Sequence, residues 1–333
     1  MPWWTCSAAP RRRSWRLAAT DGEGEDRARP LAARRHCGHA VGMLRIVLPK
    51  GSLERATLEL FADADLAVRR SSEVDYRANI DDPRVAEVRI LRPQEIPVYV
   101  ADGLFDLGIT GRDWIEETGA EVTTLGELAY SKATSDPIKV VLAVDGASAY
   151  HKVEDLPQGA RVATEYPRLT ERFLLAHNVK ADVRLSYGAT EAKVPEIADA
   201  VVEITETGRA LRAAGLRVIA QVLQSYTEVI ANPESAADPD KAHAMSQLLA
   251  LLQGTLAARS QVLVKANVAE ENLEAVISVL PSMKAPTVSK LFGEGGYAIE
   301  TVVPKATINV LIPELIDRGA SDVLELRLSK IIP

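Results

Sequence analysis

The segment 199–215, DAVVEITETGRALRAAG, holds the densest set of groups able to do chemistry. Ala200, Val201, Val202 and Ile204 read as a buried strand. Thr205, Glu206, Thr207 and Gly208 read as a loop, and a short helix is expected from Leu211 to Ala214, closed by Gly215. Amides at a helix start point outward with partial positive charge. Hydroxyls on Thr205 and Thr207, the small Gly208 and the cation Arg209 would complete a phosphate cradle. It is neither a G-x-x-x-x-G-K-[ST] loop nor a G-x-G-x-x-G turn. Glu203, at the strand end, can accept hydrogen bonds from sugar hydroxyls. An acid beside a phosphate loop suits a ribose phosphate better than an isolated phosphate. Glu206 would repel such a ligand unless it turns away. From residue types alone, an ordinary strand-turn-helix connection accounts for the segment equally well.

Little else could act alone. The two cysteines, Cys6 and Cys37, exclude a disulfide-rich fold, and His36-Cys37-Gly38-His39 reads as terminal noise rather than a metal site. His151, His177 and His243 are expected at the surface, and no Ser-His-Asp or Cys-His pairing is suggested. The 333 residues carry 46 Asp+Glu against 39 Lys+Arg, a net charge of -7. That balance argues against nucleic-acid binding. No apolar run is long enough for a membrane span and no signal-peptide core is present, so a cytoplasmic protein is expected.

Residues 1–42 differ from the rest. They hold three of the four tryptophans, both cysteines, two arginine clusters and the stretch Asp21-Gly22-Glu23-Gly24-Glu25-Asp26, with no apolar period. A disordered extension is expected there. A start codon placed too early, with Met43 as the true beginning, is favoured over a transit peptide.

From Met43 the pattern is regular. Leu44–Leu48 reads as a strand, Pro49-Lys50-Gly51 as a turn, and Ser52 as the N-cap of a helix. Strands are expected at 85–91, 105–110, 139–144, 161–164, 183–185, 199–204, 218–223 and 228–230. Helices are expected at 96–102 and 169–177, and a long one follows the Asp238-Pro239 cap. Beyond it, strand 261–268, helix 270–280, a hairpin around Gly293-Glu294-Gly295-Gly296, helix 308–318 and strand 323–328 give the order βαββαβ, the ferredoxin-like motif.

Several ordered motifs together resemble one family. They are LRIVLPKGSL at 44–53, ADGLFDLGITGRDWIEE at 101–117, RVATEYPRLTERFL at 161–174, SYGATEAKVPEIADAVVEITETGRALRAAGLRVI at 186–219, PSMKAPTVSKL at 281–291 and TVVPKATINVLIPELIDRGASDVLEL at 301–326. The chain from Met43 onward resembles the long form of ATP phosphoribosyltransferase, the enzyme of the first step of histidine biosynthesis. The resemblance implies an α/β fold: a two-lobed, periplasmic-binding-protein-like catalytic core and a ferredoxin-like regulatory domain. It places lobe I at 43–135 and 225–261, lobe II at 136–224 and the regulatory domain at 262–333. It implies that N1 of ATP attacks phosphoribosyl pyrophosphate and that pyrophosphate leaves with Mg²⁺ assistance. The ion would be held by pyrophosphate oxygens and water rather than by a protein cage. Feedback inhibition by histidine and assembly into homo-dimers or hexamers are further implications.

By motif match, Glu203 takes the ribose-diol role, and Asp199, Thr205, Glu206, Thr207, Gly208, Arg209 and Ala210 belong to the phosphoribosyl pyrophosphate site. The family often has Asp at the place of Glu203 and a hydroxyl residue at that of Ala210. Lys50 matches a catalytic or pyrophosphate contact, with a plain surface lysine an equal alternative. Gly51, Ser52, Arg92, Gly111, Arg112, Asp113, Glu165 and Tyr166 match segments lining the cleft or nucleotide site. Asp113 is equally readable as a helix N-cap, and Tyr166 otherwise as a loop aromatic. Asn267, Met283 and Thr287 are the candidate histidine-site residues. Two alternatives remain open. A two-lobed binding protein would lack the 205–210 loop and usually carry a secretory signal. A catalytically inactive regulatory paralogue is kept open by Glu206 and Ala210.

Overall fold

The computed structural model describes residues 42–72, 74–130, 137–281, 285–293 and 295–332. The expectation for the N-terminal extension therefore lies, Gly42 apart, outside the described residues.

The chain opens with β1 (Leu44–Pro49) and α1 (Glu54–Asp63). The expected Ser52 cap is not formed. The N-cap position is Leu53, with no side-chain bond. A Gly51–Glu54 turn replaces it, with Glu54 N bonded to Gly51 O at 3.1 Å and Gly51 N to Glu54 Oε2 at 3.3 Å. Next come β2 (Val68–Arg69), β3 (Arg77–Ile80), β4 (Val85–Leu91), α2 (Ile96–Ala101), β5 (Leu107–Gly111), α3 (Arg112–Thr118) and β6 (Thr123–Leu128). A second set follows: β7 (Ile138–Asp145), β8 (Arg161–Thr164), α4 (Pro167–Ala176), β9 (Asp182–Leu185), β10 (Ala200–Thr205), α5 (Arg209–Ala213) and β11 (Leu216–Ser225). The chain then returns through β12 (Thr227–Ala231), α6 (Pro233–Ala237) and α7 (Pro239–Arg259).

Two sheets result. One has the order β2-β3-β4-β1-β5-β12-β6, and the other β11-β7-β10-β8-β9. In the first, β1 runs parallel to β4 and β5, while β12 returns antiparallel to β5 and β6. In the second, β8 runs parallel to β9 and β10. The central strands are buried on both faces, which explains their unbroken apolar runs. Leu44, Ile46 and Leu48 join α1 and α7 in one core, while Val47 meets Ile96, Val100 and Ile230 on the opposite face. The second sheet packs against α4 through Val140, Val162, Val202, Tyr166 and Leu174. The chain crosses between the sheets twice, from β6 to β7 and at Tyr226 between β11 and β12. This is the two-lobed core that the resemblance implies.

The long helix starts as its cap predicts, with Asp238 accepting from the amides of Asp240 and Lys241. After it come β13 (Gln261–Val268), α8 (Leu273–Ile277), β14 (Thr287–Lys290), β15 (Tyr297–Pro304), α9 (Ile308–Asp317) and β16 (Ala320–Arg327). Their sheet order, β14-β15-β13-β16, is the ferredoxin-like one. Here α8 is shorter than expected, because 270–272 forms a separate single turn before it.

Candidate active site between the lobes

Parallel strands present their carboxyl ends on one edge, where loops can reach a ligand. Lys50 follows β1, Arg92 follows β4, and Gly111-Arg112 joins β5 to α3, on three adjacent strands. Three cations thus rise from neighbouring strand ends of the first lobe. Lys50 is held from both sides: its amide bonds Leu91 O at 2.7 Å, and its ammonium sits 4.0 Å from the centre of the Tyr76 ring. Gly51, Ser52, Arg92 and Arg112 are exposed.

The second lobe offers the ends of β8, with Glu165 and Tyr166, and of β10, with Glu203 and the 205–210 loop. The two edges meet. The Tyr166 hydroxyl donates to Asp113 Oδ2 at 2.7 Å, and Ser225 Oγ donates to Asp113 Oδ1 at 2.6 Å. Asp113 N in turn donates to Ser225 Oγ at 3.0 Å. One carboxylate therefore ties the first-lobe helix α3 to the second lobe and to the crossing strand. One turn further along α3, Glu117 accepts from the amides of Arg168 at 3.1 Å and Leu169 at 2.8 Å, capping α4 of the other lobe. The Trp114 and Tyr166 rings lie 4.5 Å apart in the same seam.

This geometry corrects two expectations. Asp113 is not a helix cap, because Gly111 holds that position, and Asp113 is 3% exposed. Tyr166 is 1% exposed, with its ring in the core. Both are buried in the seam where the two strand edges meet. Burial raises the Asp113 carboxyl above its ordinary value, opposed by the bonds from Ser225 and Tyr166. Burial and the neighbouring Asp113 push the Tyr166 phenol far up, so it is a constant donor.

Glu203 is half-buried at the end of β10. Its Oε1 accepts from Ile204 N at 3.0 Å. Burial raises its pKa against the Ile204 amide and the nearby Thr190 hydroxyl, and repulsion from Glu165 and Glu191 adds to the rise. Glu165 is raised by burial and by Asp113.

The loop after β10 is built around Gly208, whose φ of 71° favours glycine. Gly208 N donates to Thr205 Oγ1 at 2.7 Å, so that amide is spent inside the loop while the Thr205 hydroxyl hydrogen stays available. The helix begins at Arg209, earlier than expected, and spans five residues. Its dipole is correspondingly small, but the first amides of any helix, here those of Arg209 and Ala210, lack intrahelical partners. Thr207, Arg209 and Ala210 are exposed, and Glu206 is half-buried.

Asp199 does not join this group. It sits at the other end of β10, about 20 Å away along the strand. There it pairs with the Arg161 guanidinium at 2.7 Å and accepts from Arg161 N at 2.8 Å. Asn267 and Thr287 belong to β13 and β14 in the third sheet; Asn267 donates to Asp322 at 2.9 Å. Strand register puts both on the face that α8 and α9 leave uncovered, since Val264, Ala266, Val268 and Ile299 fill the other. Met283 lies outside the described residues. His151 and His243 are exposed as expected, whereas His177 is half-buried, its Nδ1 2.9 Å from Phe173 O.

The residues missed in the sequence are those that tie the two lobes together: Ser225 and Glu117. The spacing of Asp113 and Glu117 carried one available signal, because acids four apart on a helix share a face.

Comparison with known proteins agrees with the geometry. The family model for ATP phosphoribosyltransferase matches residues 92–254, and that for the HisG C-terminal domain matches 258–330. An ATP phosphoribosyltransferase of Pelotomaculum thermopropionicum is 45% identical over 292 residues, covering 87% of this chain and 99% of the relative. One of Nitratidesulfovibrio vulgaris is 46% identical over 291 residues, covering 87% and 98%. Among solved structures, a chain of the ATP phosphoribosyl transferase (HisG:HisZ) complex from Thermotoga maritima shares the fold. Its TM-score is 0.55 at 24% identity, covering 65% of this chain and 99% of that one. With relatives this similar over nearly their whole length, the chain belongs to the ATP phosphoribosyltransferase family.

Proposed function

We propose that the cleft transfers the phosphoribosyl group of phosphoribosyl pyrophosphate to N1 of ATP and releases pyrophosphate, the first step of histidine biosynthesis. The observation that carries this reading is Glu203, a half-buried carboxylate beside a hydroxyl- and amide-rich loop, on an edge that meets a row of first-lobe cations. Glu203 accepts from the ribose hydroxyls and stabilises the positive charge that builds on the sugar as pyrophosphate departs. The amides of Arg209 and Ala210, the hydroxyls of Thr205 and Thr207 and the Arg209 guanidinium hold the 5′-phosphate. Lys50, Arg92 and Arg112 receive the polyphosphate groups. Asp113 and Tyr166 set the spacing of the two edges.

Mg²⁺ bound to pyrophosphate would neutralise the leaving group's charge. The ion is proposed to be carried by pyrophosphate oxygens and water; among the described residues no three acids, imidazoles or thiols are grouped to hold one. We assign 43–135 with 225–261 and 136–224 to the catalytic lobes. We assign 262–333 to a domain that takes histidine as a feedback inhibitor near Asn267 and Thr287. The functional form is proposed to be a cytoplasmic homo-oligomer. No helix among the described residues is long and apolar enough to cross a membrane.

A coupled ultraviolet assay with ATP, phosphoribosyl pyrophosphate and Mg²⁺, with and without histidine, tests this. Turnover suppressed by histidine is expected. Glu203→Ala is expected to lower turnover by roughly a hundredfold or more with the fold intact. Unchanged turnover in that variant would remove Glu203 from the mechanism.

A further inference from the structure

A cavity of about 330 Å³ lies where the first lobe meets the third sheet. That volume suits a small molecule. From the first lobe come Asp63, the last residue of α1, and Arg259, the last of α7. From the third sheet come Gln261 at the start of β13, Lys305 just after β15, Arg327 at the end of β16, and Ser329 beyond it. No residue of the 203–210 stretch lines it.

The sheet order explains why these side chains converge. β13 lies between β15 and β16. Its first residues pair with the end of each neighbour, Gln261 with Pro304 and Val262 with Arg327. Lys305 and Arg327 therefore stand on either side of Gln261, on strands about 10 Å apart. Two long cationic side chains can meet one small ligand across that gap.

The charges do not cancel inside the cavity. Arg259 is paired with Asp63 at 2.9 Å. Among the described residues the side chains of Lys305 and Arg327 make no ion pair or hydrogen bond. Two positive charges are thus left over. The carbonyl end of α7 offsets only about half of one charge. Neutral donors accompany the cations. The Ser329 hydroxyl is uncommitted, and the Gln261 side chain makes no hydrogen bond, its Oε1 being buried without a partner. A half-turn of that amide would exchange Oε1 for the donor Nε2. A carboxylate or chloride would answer one charge. A phosphate dianion answers both, and its several acceptor oxygens match a guanidinium fork, an ammonium, a hydroxyl and an amide.

We propose that this cavity binds a phosphate dianion, either the free ion or the phosphoryl end of a small sugar phosphate, through Lys305 and Arg327, and that the bound group braces the third sheet against the end of α7. The site is separate from the 205–210 loop, and it stands whether or not the cleft performs the proposed transfer.

Hydrogen exchange of the full chain tests it, with inorganic phosphate and glucose 6-phosphate as probes and sodium chloride at matched ionic strength as the control. Two amides report on the joint: Lys305 N, bonded to Ser260 O, and Ile331 N, bonded to Gly254 O, each at 2.9 Å. Both are expected to exchange more slowly with either probe than with chloride. The probe that half-saturates this protection at the lower concentration identifies the natural source as free ion or phosphoester. In the double variant Lys305→Met with Arg327→Met, half-saturation should require at least about tenfold more probe. Lys305→Arg alone, which keeps the charge, should retain most of the binding. Any protection of the 205–210 loop by the same probes should be the same in the double variant, which separates this site from the cleft. Unchanged exchange at Lys305 and Ile331 with both probes overturns the proposal. So does equal protection by chloride, or half-saturation in the double variant equal to that of the parent chain.

Discussion

The Tyr166 hydroxyl is a single oxygen, yet it makes the hydrogen bond by which the Asp113 carboxylate of one lobe holds the other. Tyr166→Phe keeps the ring against Trp114 and removes only that bond. Asp113 then retains Ser225 but loses a donor at a buried carboxyl. A cost of about 1–3 kcal/mol is expected, read as a lower urea midpoint with an unchanged slope. A fall below about 0.5 kcal/mol would show the bond to be incidental to the seam. The contact was not legible in the sequence, because Asp113 lies 53 positions from Tyr166 and 112 from Ser225. Local patterns report which residues alternate or repeat, not which distant ones meet. Glu203 and the loop after it were legible for the opposite reason, since strand, turn and helix start lie in one continuous stretch. Asp199, in that same stretch, shows the limit of such continuity. A strand that carries Glu203 toward the 205–210 loop carries a residue four positions earlier away from it.

At the scale of elements, α4 shows how the lobes complete each other. The helix starts at Pro167, two residues before the expected 169, and Tyr166 at the N-cap supplies no side-chain acceptor. The missing acceptor comes from Glu117 on α3, which also places a negative charge at the helix's positive end. Glu117→Ala leaves the amides of Arg168 and Leu169 without that partner. It is expected to cost about 1–2 kcal/mol and to speed hydrogen exchange in the first turn of α4 ahead of the rest of the helix. Glu117→Gln, which still accepts, should recover most of the protection. Uniform exchange across α4 in Glu117→Ala would argue that the cap does not hold this turn. The apolar runs of β1, β5, β7 and β10 were readable because central strands are buried on both faces. The strands β2, β3 and β6 were not, being short or polar and lying at or near the sheet edges.

At the scale of the whole molecule, α7 joins the catalytic core to the third sheet. Its 21 residues make a rod of about 32 Å. Lys241 in its first turn pairs with the buried Asp106 at 2.8 Å, and Arg259 in its last turn pairs with Asp63 of α1 at 2.9 Å. After β16 the chain comes back onto this rod: Ile331 N donates to Gly254 O at 2.9 Å, and Lys330 pairs with Asp65. Gly254 is small because of this return. A Cβ there would meet Ile332 Cγ1 at 2.9 Å and Ile331 O at 3.1 Å. Among the described residues the third sheet is thus attached to the first lobe through the covalent turn at Ser260 and through the returning segment. If histidine acts at the third sheet, these two attachments are the routes within one chain, among the described residues, by which its effect could reach the first lobe. Gly254→Val separates them, because it displaces the return and leaves the turn at Ser260 in place. Uninhibited turnover should survive, since Gly254 touches neither Glu203 nor the loop. The histidine concentration for half-inhibition should rise at least about fivefold, the low end of ordinary coupling energies. Loss of protection at the Ile331 amide would verify that the return has been displaced. Displacement with undiminished histidine sensitivity would leave the covalent turn and the α7 rod as the sufficient route.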